Sequence, residues 1–273
     1  MDRVERESAR ARRAYSDLSA RFANLTAAMR DGGAENETAK PAPDAQDAAL
    51  SPLLSRFYAT FEDRFRGSRE EVRDRVAALL PEVRETLDRL GGGRVVDLGC
   101  GRGEWLEVVQ QAGYDVLGVD NNEAQLGSAR ERGLPVLRAD ALEWLCAQPD
   151  GSIAVATAFH LVEHLPFPVL VRFCLEMQRV LAPGGSLLFE TPNPENVLVG
   201  AWSFHLDPTH QKPLPPELLE CLLDTVGFEA VRVRMLHPHP WRQGFLSKGG
   251  LPPEVVELLF GPLDYAVVAS KPR

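Results

Sequence analysis

Cysteine is scarce and scattered. The 273-residue chain carries four, Cys100, Cys146, Cys174 and Cys221, and none forms a C-x-x-C pair. Their spacing excludes a disulfide framework or a thiolate zinc site and reads as reduced thiols inside a cell. No apolar run reaches membrane-spanning length, and the opening Met1-Asp-Arg-Val-Glu-Arg-Glu7 is too charged for a secretory leader. Positive charge is also in deficit. The 30 Lys and Arg face 39 Asp and Glu, a formal net charge of −9, which argues against a bare nucleic-acid-binding surface. The expectation is a soluble cytoplasmic protein with no membrane span and no direct nucleic-acid partner. At this length one domain of about 200 residues with an appendage is expected.

Residues 1–30 are rich in Ala and Arg, and Tyr15, Leu18, Phe22, Leu25 and Met29 alternate in steps of three and four. That is a heptad seam. It serves either a short coiled coil for self-association or partner docking, or a helix folded onto its own domain. Residues 31–50 lack large apolar groups and read as a flexible linker. Residues 51–90 read as two helices. The first carries Phe57, Tyr58, Phe61 and Phe65, and the second opens at Ser68-Arg-Glu-Glu71, a capping-box pattern.

From residue 94 the pattern alternates. Strands are expected at 94–98, 115–119, 135–138, 152–159 and 186–191, with helices at 103–112, 122–132, 141–147 and 166–181. A helix at 215–226 and strands at 229–236 and 264–270 follow. Alternation of this kind predicts an α/β fold, a doubly wound and mostly parallel sheet with helices on both faces.

The most informative stretch is Arg94-Val-Val-Asp-Leu-Gly-Cys-Gly-Arg-Gly-Glu104. A strand runs into a glycine turn that opens a helix, and acids end the next two strands at Asp120 and Asp140. Such a half-site holds a nucleoside-bearing cofactor. Gly99, Gly101 and Gly103 are spaced G-x-G-x-G, and neither Glu104 nor Leu106 completes the dinucleotide G-x-G-x-x-G. Asp97 and Glu104 flank the turn. Two carboxylates would repel a pyrophosphate at a helix N-terminus but suit an ammonium and a sulfonium.

On these residues the chain resembles the class I S-adenosylmethionine (SAM) dependent methyltransferases. The resemblance implies a seven-stranded Rossmann-like sheet closed by an antiparallel hairpin, and the helices of 51–90 lying across the cofactor cleft. Within 91–273 it implies SAM contacts from Asp97, Gly99, Cys100, Gly101, Gly103, Asp120, Asn121, Asp140, Ala141 and Phe159. Asp120 would accept from the ribose hydroxyls and Asp140 from the adenine amino group. Arg64, Arg66 and Arg69 are candidates for the SAM carboxylate or an anionic substrate, or else pair with Glu62, Asp63 and Glu70.

His160, Glu163 and His164 spell H-x-x-E-H, a literal inverted zinc-peptidase motif. It leaves the end of a strand rather than lying on a helix, and Pro166 limits any helix there, so a peptidase is not expected. Some methyltransferases bind a divalent metal through an E-x-x-E-H loop and a later histidine. Here His160 replaces the first acid, so the three read either as a metal loop or as loop-fixing hydrogen bonds, and no metal ligand is assigned. The segment 192–216 is long for a loop and holds His205, Asp207 and His210. These supply a general base with an orienting acid, or hold a structural lid. The candidate catalytic side chains are therefore His160, His164, His205, His210 and Asp207.

The runs E-T-P-N-P-E-N (190–196), L-D-P-T-H (206–210) and F-E-D-R-F-R-G-S-R-E-E (61–71) are similar to those of a bacterial methyltransferase subgroup associated with cell-surface polysaccharide biosynthesis. That resemblance covers about residues 51–236 and implies O-methylation of a saccharide or related small-molecule hydroxyl. A phosphate or carboxylate acceptor, or a non-catalytic SAM-binding scaffold acting through residues 1–30, are the alternatives.

Overall fold

Val95–Leu98 (β1) is buried throughout, as a central strand with helices on both faces must be. It pairs in parallel with Val116–Asp120 (β2) and Ile153–Phe159 (β4), so Asp97 stands beside Gly118 on one side and Thr157 on the other. Val136–Arg138 (β3) adds to β2, and Leu181–Pro192 (β5) to β4, both in parallel. Pro262–Ser270 (β7) then runs antiparallel to β5, and Glu229–Pro238 (β6) antiparallel to β7. The order β3-β2-β1-β4-β5-β7-β6 is the expected seven-stranded sheet with its closing hairpin. This computed structural model describes residues 67–273 together with Leu53 and Phe65.

The expected N-terminal helix, the linker and the side chains of Phe57, Tyr58, Phe61, Arg64 and Arg66 lie outside the described residues. Residues 67–273 lie within one compact unit.

Helix Arg69–Val76 (α1) starts at the predicted capping box: Ser68 and Glu71 each bind the other's backbone N–H. Leu80–Leu90 (α2) packs on β4 and β5 through Val83 and Leu87. Glu104–Gln111 (α3), Glu123–Glu131 (α4), Ala141–Cys146 (α5) and Phe167–Val180 (α6) follow β1 to β4 in turn, and α1 packs against α3. Strand β5 starts earlier than expected, at Leu181, because Leu181 pairs with Ile153 before a register shift brings Ser186 opposite Val155. The Pro-Gly-Gly turn therefore lies inside the strand as a bulge.

The loop 192–216 is not structureless. It holds Val197–Ala201 (α7) and a 3-10 turn at Ser203–Leu206 before Pro216–Thr225 (α8). The excursion between β6 and β7 contains two helices the periodicity did not reveal, Arg242–Lys248 (α9) and Pro253–Phe260 (α10). No described helix is long and apolar enough to cross a membrane.

Candidate active site

The glycine turn sits between β1 and α3, with Gly99, Gly101 and Gly103 all at positive φ (73°, 54° and 81°). Gly103 is required twice over. It occupies the left-handed region, and a Cβ there would meet Leu134 Cδ1 at 2.7 Å. Asp120, ending β2, fixes the turn: its Oδ2 accepts from Gly101 N–H at 2.9 Å and its Oδ1 from Asn122 N–H at 2.7 Å. Each carboxylate oxygen keeps a lone pair for a ribose hydroxyl.

Beside this turn lies a cleft of about 320 Å³ at the C-terminal edge of the sheet. Of the expected cofactor residues, Gly99, Asp120, Asn121, Asp140 and Ala141 line it. Asp140 Oδ1 also caps α5, accepting from Leu142 and Glu143 N–H. The apolar wall, missed by sequence reasoning, comes from Leu161, Leu165, Val169 and Phe173. These residues lie on α6 and the loop before it, where the sequence reads as ordinary core periodicity. Glycine backbone, a ribose-facing acid and an apolar wall fit the adenosyl half of SAM.

Other expected residues are buried or already partnered. Phe159 is buried against Trp105, ring centroids 5.2 Å apart, and does not line the cleft. Cys100 is likewise buried. A Cβ on Gly118 would meet its Sγ at 2.6 Å, so the sulfur packs on β2 rather than facing ligand. Burial first, then Asp97 and Asp120, pushes its thiol up. The carboxylates flanking the turn are also engaged. Asp97 Oδ1 accepts from Thr157 Oγ1 at 2.7 Å, and Trp105 Nε1 donates to the same hydroxyl. Glu104 pairs with Arg102 at 2.7 Å. Arg69 donates to Glu107 and to the Arg102 carbonyl, so its partner is α3 and not Glu70.

The loop after β4 brings His164 to the cleft wall. Its Nδ1 lies 2.8 Å from Thr209 Oγ1, and that hydroxyl donates to Asp207 Oδ1 at 2.6 Å. Thr209 thus accepts from the Nδ1 hydrogen, which leaves Nε2 as the basic nitrogen. Burial is the largest influence on His164 and lowers its pKa below the ordinary 6.5, so the ring is neutral at pH 7. Asp207 was expected to orient His205 or His210; it reaches His164 through Thr209, a member of the L-D-P-T-H run to which no role was assigned.

His210 packs on His164 with centroids 4.7 Å apart, and its Nδ1 lies 2.6 Å from the Phe204 carbonyl. His205 does not reach the cleft. It is exposed, held edge-on to Phe204 and by the Gly200 carbonyl at 3.2 Å.

His160 turns elsewhere. At φ 52° it leaves β4 and places Nδ1 3.3 Å from Glu163 Oε1 and Nε2 3.5 Å from Glu190 Oε1. His237 Nε2 approaches the same Glu190 oxygen at 3.2 Å. Burial opposes charge on His160, but Glu163 and Glu190 outweigh it and push its pKa up. Burial would raise Glu190, and His160 and His237 hold it down instead. Asp264 is pushed up by burial. Glu190, His237 and Asp264 were not assigned from sequence, because the antiparallel hairpin that brings them together leaves no local motif.

Ligand atoms of Glu163, His164 and His210 lie within 4.8 Å of one another, so the later-histidine part of the metal loop is assembled. Its first acid position is His160, which faces the other cluster. Two asparagines of the E-T-P-N-P-E-N run are structural. Asn193 Nδ2 donates to the Pro262 carbonyl and Asn196 Nδ2 to that of Gly261, clamping β5 to the start of β7.

The family described as a methyltransferase domain matches residues 64–233. A solved SAM-dependent methyltransferase from Archaeoglobus fulgidus is similar, at 32% identity and TM-score 0.67, over 79% of this chain and all of that one. A ubiquinone biosynthesis O-methyltransferase of Bordetella pertussis is 38% identical over 117 residues, 41% of this chain and 47% of the relative. A probable SAM-dependent methyltransferase of Mycolicibacterium smegmatis is 34% identical over 144 residues, 52% and 54%. The chain spans about half the length of these curated relatives. With the sheet order, the glycine turn and Asp120 in place, the chain belongs to the methyltransferase-domain family and is a SAM-dependent methyltransferase.

Proposed function

We propose that this enzyme methylates a hydroxyl oxygen on a small-molecule acceptor, with His164 as general base. The observation that carries the reading is the Asp207–Thr209–His164 chain at the cleft wall, which presents a neutral imidazole with Nε2 ready to accept a proton. SAM supplies an electrophilic methyl group on a sulfonium. A hydroxyl is a weak nucleophile, and a positioned base contributes roughly 10²–10⁴-fold to such a step. The protein's other work is alignment and exclusion of water, which the apolar wall from Leu161 to Phe173 supports.

An anionic acceptor would need free cations. Among the described residues at the turn, Arg69 and Arg102 are both paired with carboxylates, which weighs against a phosphate or carboxylate acceptor. A saccharide is the acceptor class we favour, on the E-T-P-N-P-E-N and L-D-P-T-H runs and on Trp202. That ring is 64% exposed in the 192–216 segment and offers a flat face of the kind on which sugar rings stack. A phenolic acceptor is the second reading, favoured by the names of the O-methyltransferase relatives.

His164→Gln separates binding from chemistry. SAM affinity should stay within about twofold, while the methyl-transfer rate falls roughly 10²–10⁴-fold. Equal rates in both proteins would remove His164 from the mechanism.

A further inference from the structure

Four strands deliver a second group of side chains that the cofactor cleft does not use. His160 follows β4, Glu190 is in β5, His237 in β6 and Asp264 in β7. Ligand atoms of His160, Glu190 and Asp264 all lie within 4.8 Å of one another. The two imidazole Nε2 atoms stand 3.5 and 3.2 Å from Glu190 Oε1. Two donors held by one tetrahedral metal at about 2.1 Å would be separated by about 3.4 Å.

A second observation is independent of these spacings. Glu190 is 3% exposed, and its Oε2 is fully buried with no hydrogen-bond partner. An ionised oxygen left so is costly, and native proteins satisfy such atoms with a donor, a water or an ion. His160 and His237 also both adopt φ 52°, rare outside glycine, so backbone strain is concentrated in the two residues that flank Glu190.

We propose that His160, Glu190 and Asp264 form a binding site for a divalent first-row transition metal, with His237 holding Glu190 from its other side. One imidazole with two carboxylates suits zinc or manganese, whereas magnesium prefers oxygen ligands and retained water. Glu163 completes the arrangement from outside. Its Oε1 lies 3.3 Å from His160 Nδ1, the position from which an outer carboxylate would fix the tautomer of a metal-binding histidine, and Thr191 Oγ1 donates to its other oxygen at 2.9 Å. This site is separate from the Glu163–His164–His210 set and stands whichever acceptor is methylated.

The test is calorimetric titration of the chelator-stripped full chain with ZnCl2, MnCl2 and MgCl2, without SAM. One saturable equivalent of zinc or manganese is expected. Glu190→Gln and Asp264→Asn should each weaken it about 100-fold or more, and His237→Ala, which removes the outer partner of Glu190, about 10-fold or more, while His164→Ala retains it. Circular dichroism checks that each variant is folded. His237→Ala removes no buried carboxylate and keeps the test alive if the acid variants fail to fold. Three results would overturn the site: no saturable zinc or manganese binding, binding unchanged in all folded variants of the three positions, or binding abolished by His164→Ala alone.

Discussion

Thr209 shows how a residue with no assigned role decides the chemistry of a conspicuous neighbour. The H-x-x-E-H string makes His164 conspicuous, yet its competence as a base depends on which nitrogen carries the proton. Thr209 Oγ1, itself committed to Asp207, sets that choice. Thr209→Val should therefore lower kcat by about 10-fold or more with SAM affinity unchanged, since only the orientation of the base is lost. The pH dependence has a definite sign. Burial lowers the pKa of His164 from 6.5, so its basic form persists through neutrality and the rate should fall only on the acid side of pH 6.5. An acid limb above pH 7 in the kcat profile would contradict this. The sequence carried Gly99, Gly101, Gly103 and Asp120 plainly, because a tight turn and a strand-ending acid leave a fixed spacing. It did not reveal that Phe159 and Cys100 are buried away from the cleft lining, because adjacency to a motif does not show which face of the chain a side chain takes.

Among elements, α1 is joined by charge to α3, the helix that follows the cofactor turn, where the sequence left Arg69 open between SAM, an anionic substrate and a neighbouring carboxylate. Arg69 reaches from α1 to Glu107 on α3 at 2.7 Å, and Arg73 lies 3.9 Å from the same carboxylate. Its hydrogen bond to Arg69 is the main reason the Glu107 carboxyl sits below the ordinary 4.5. A depressed carboxylate contributes stability above its unfolded pKa and loses it as pH falls through the folded value. Glu107→Gln should thus lower stability at pH 7, by less than about 1 kcal/mol because the pair is partly solvated. The difference should close below pH 4.5; chemical denaturation of both proteins at the two pH values measures it. The capping box at Ser68 was legible because the pattern is local. Helices α9 and α10 were not, since Arg242–Lys248 buries no residue and Pro253–Phe260 buries only Val256. With so little buried face there is little periodicity to read.

Across the whole molecule, the doubly wound topology follows from the alternation of apolar runs and amphipathic helices. What that alternation does not disclose is the order of the last two strands. Insertion of β7 between β5 and β6 carries Asp264 and His237 to Glu190, and every residue in that convergence is distant in sequence from at least one other. SAM binding should be felt globally, because a ligand that binds only the folded state stabilises it by about 2.7 kcal/mol at a hundredfold excess over Kd. A rise in Tm of roughly 5–10 °C is expected with SAM or S-adenosylhomocysteine, none with NAD, and none for Asp120→Ala. A rise with NAD would mean the turn accepts a pyrophosphate after all.

Identification of the methylated product tests the account most directly. The full chain would be incubated with SAM bearing a ¹³C-methyl group and with separate panels of saccharides, catechols, amines, carboxylates and phosphate esters. The carbon shift of the transferred methyl then reports the atom that received it. The account predicts a methyl ether on a neutral hydroxyl, formed by the wild type and lost in His164→Gln. A methyl group on nitrogen, on a carboxylate or on a phosphate oxygen would contradict it.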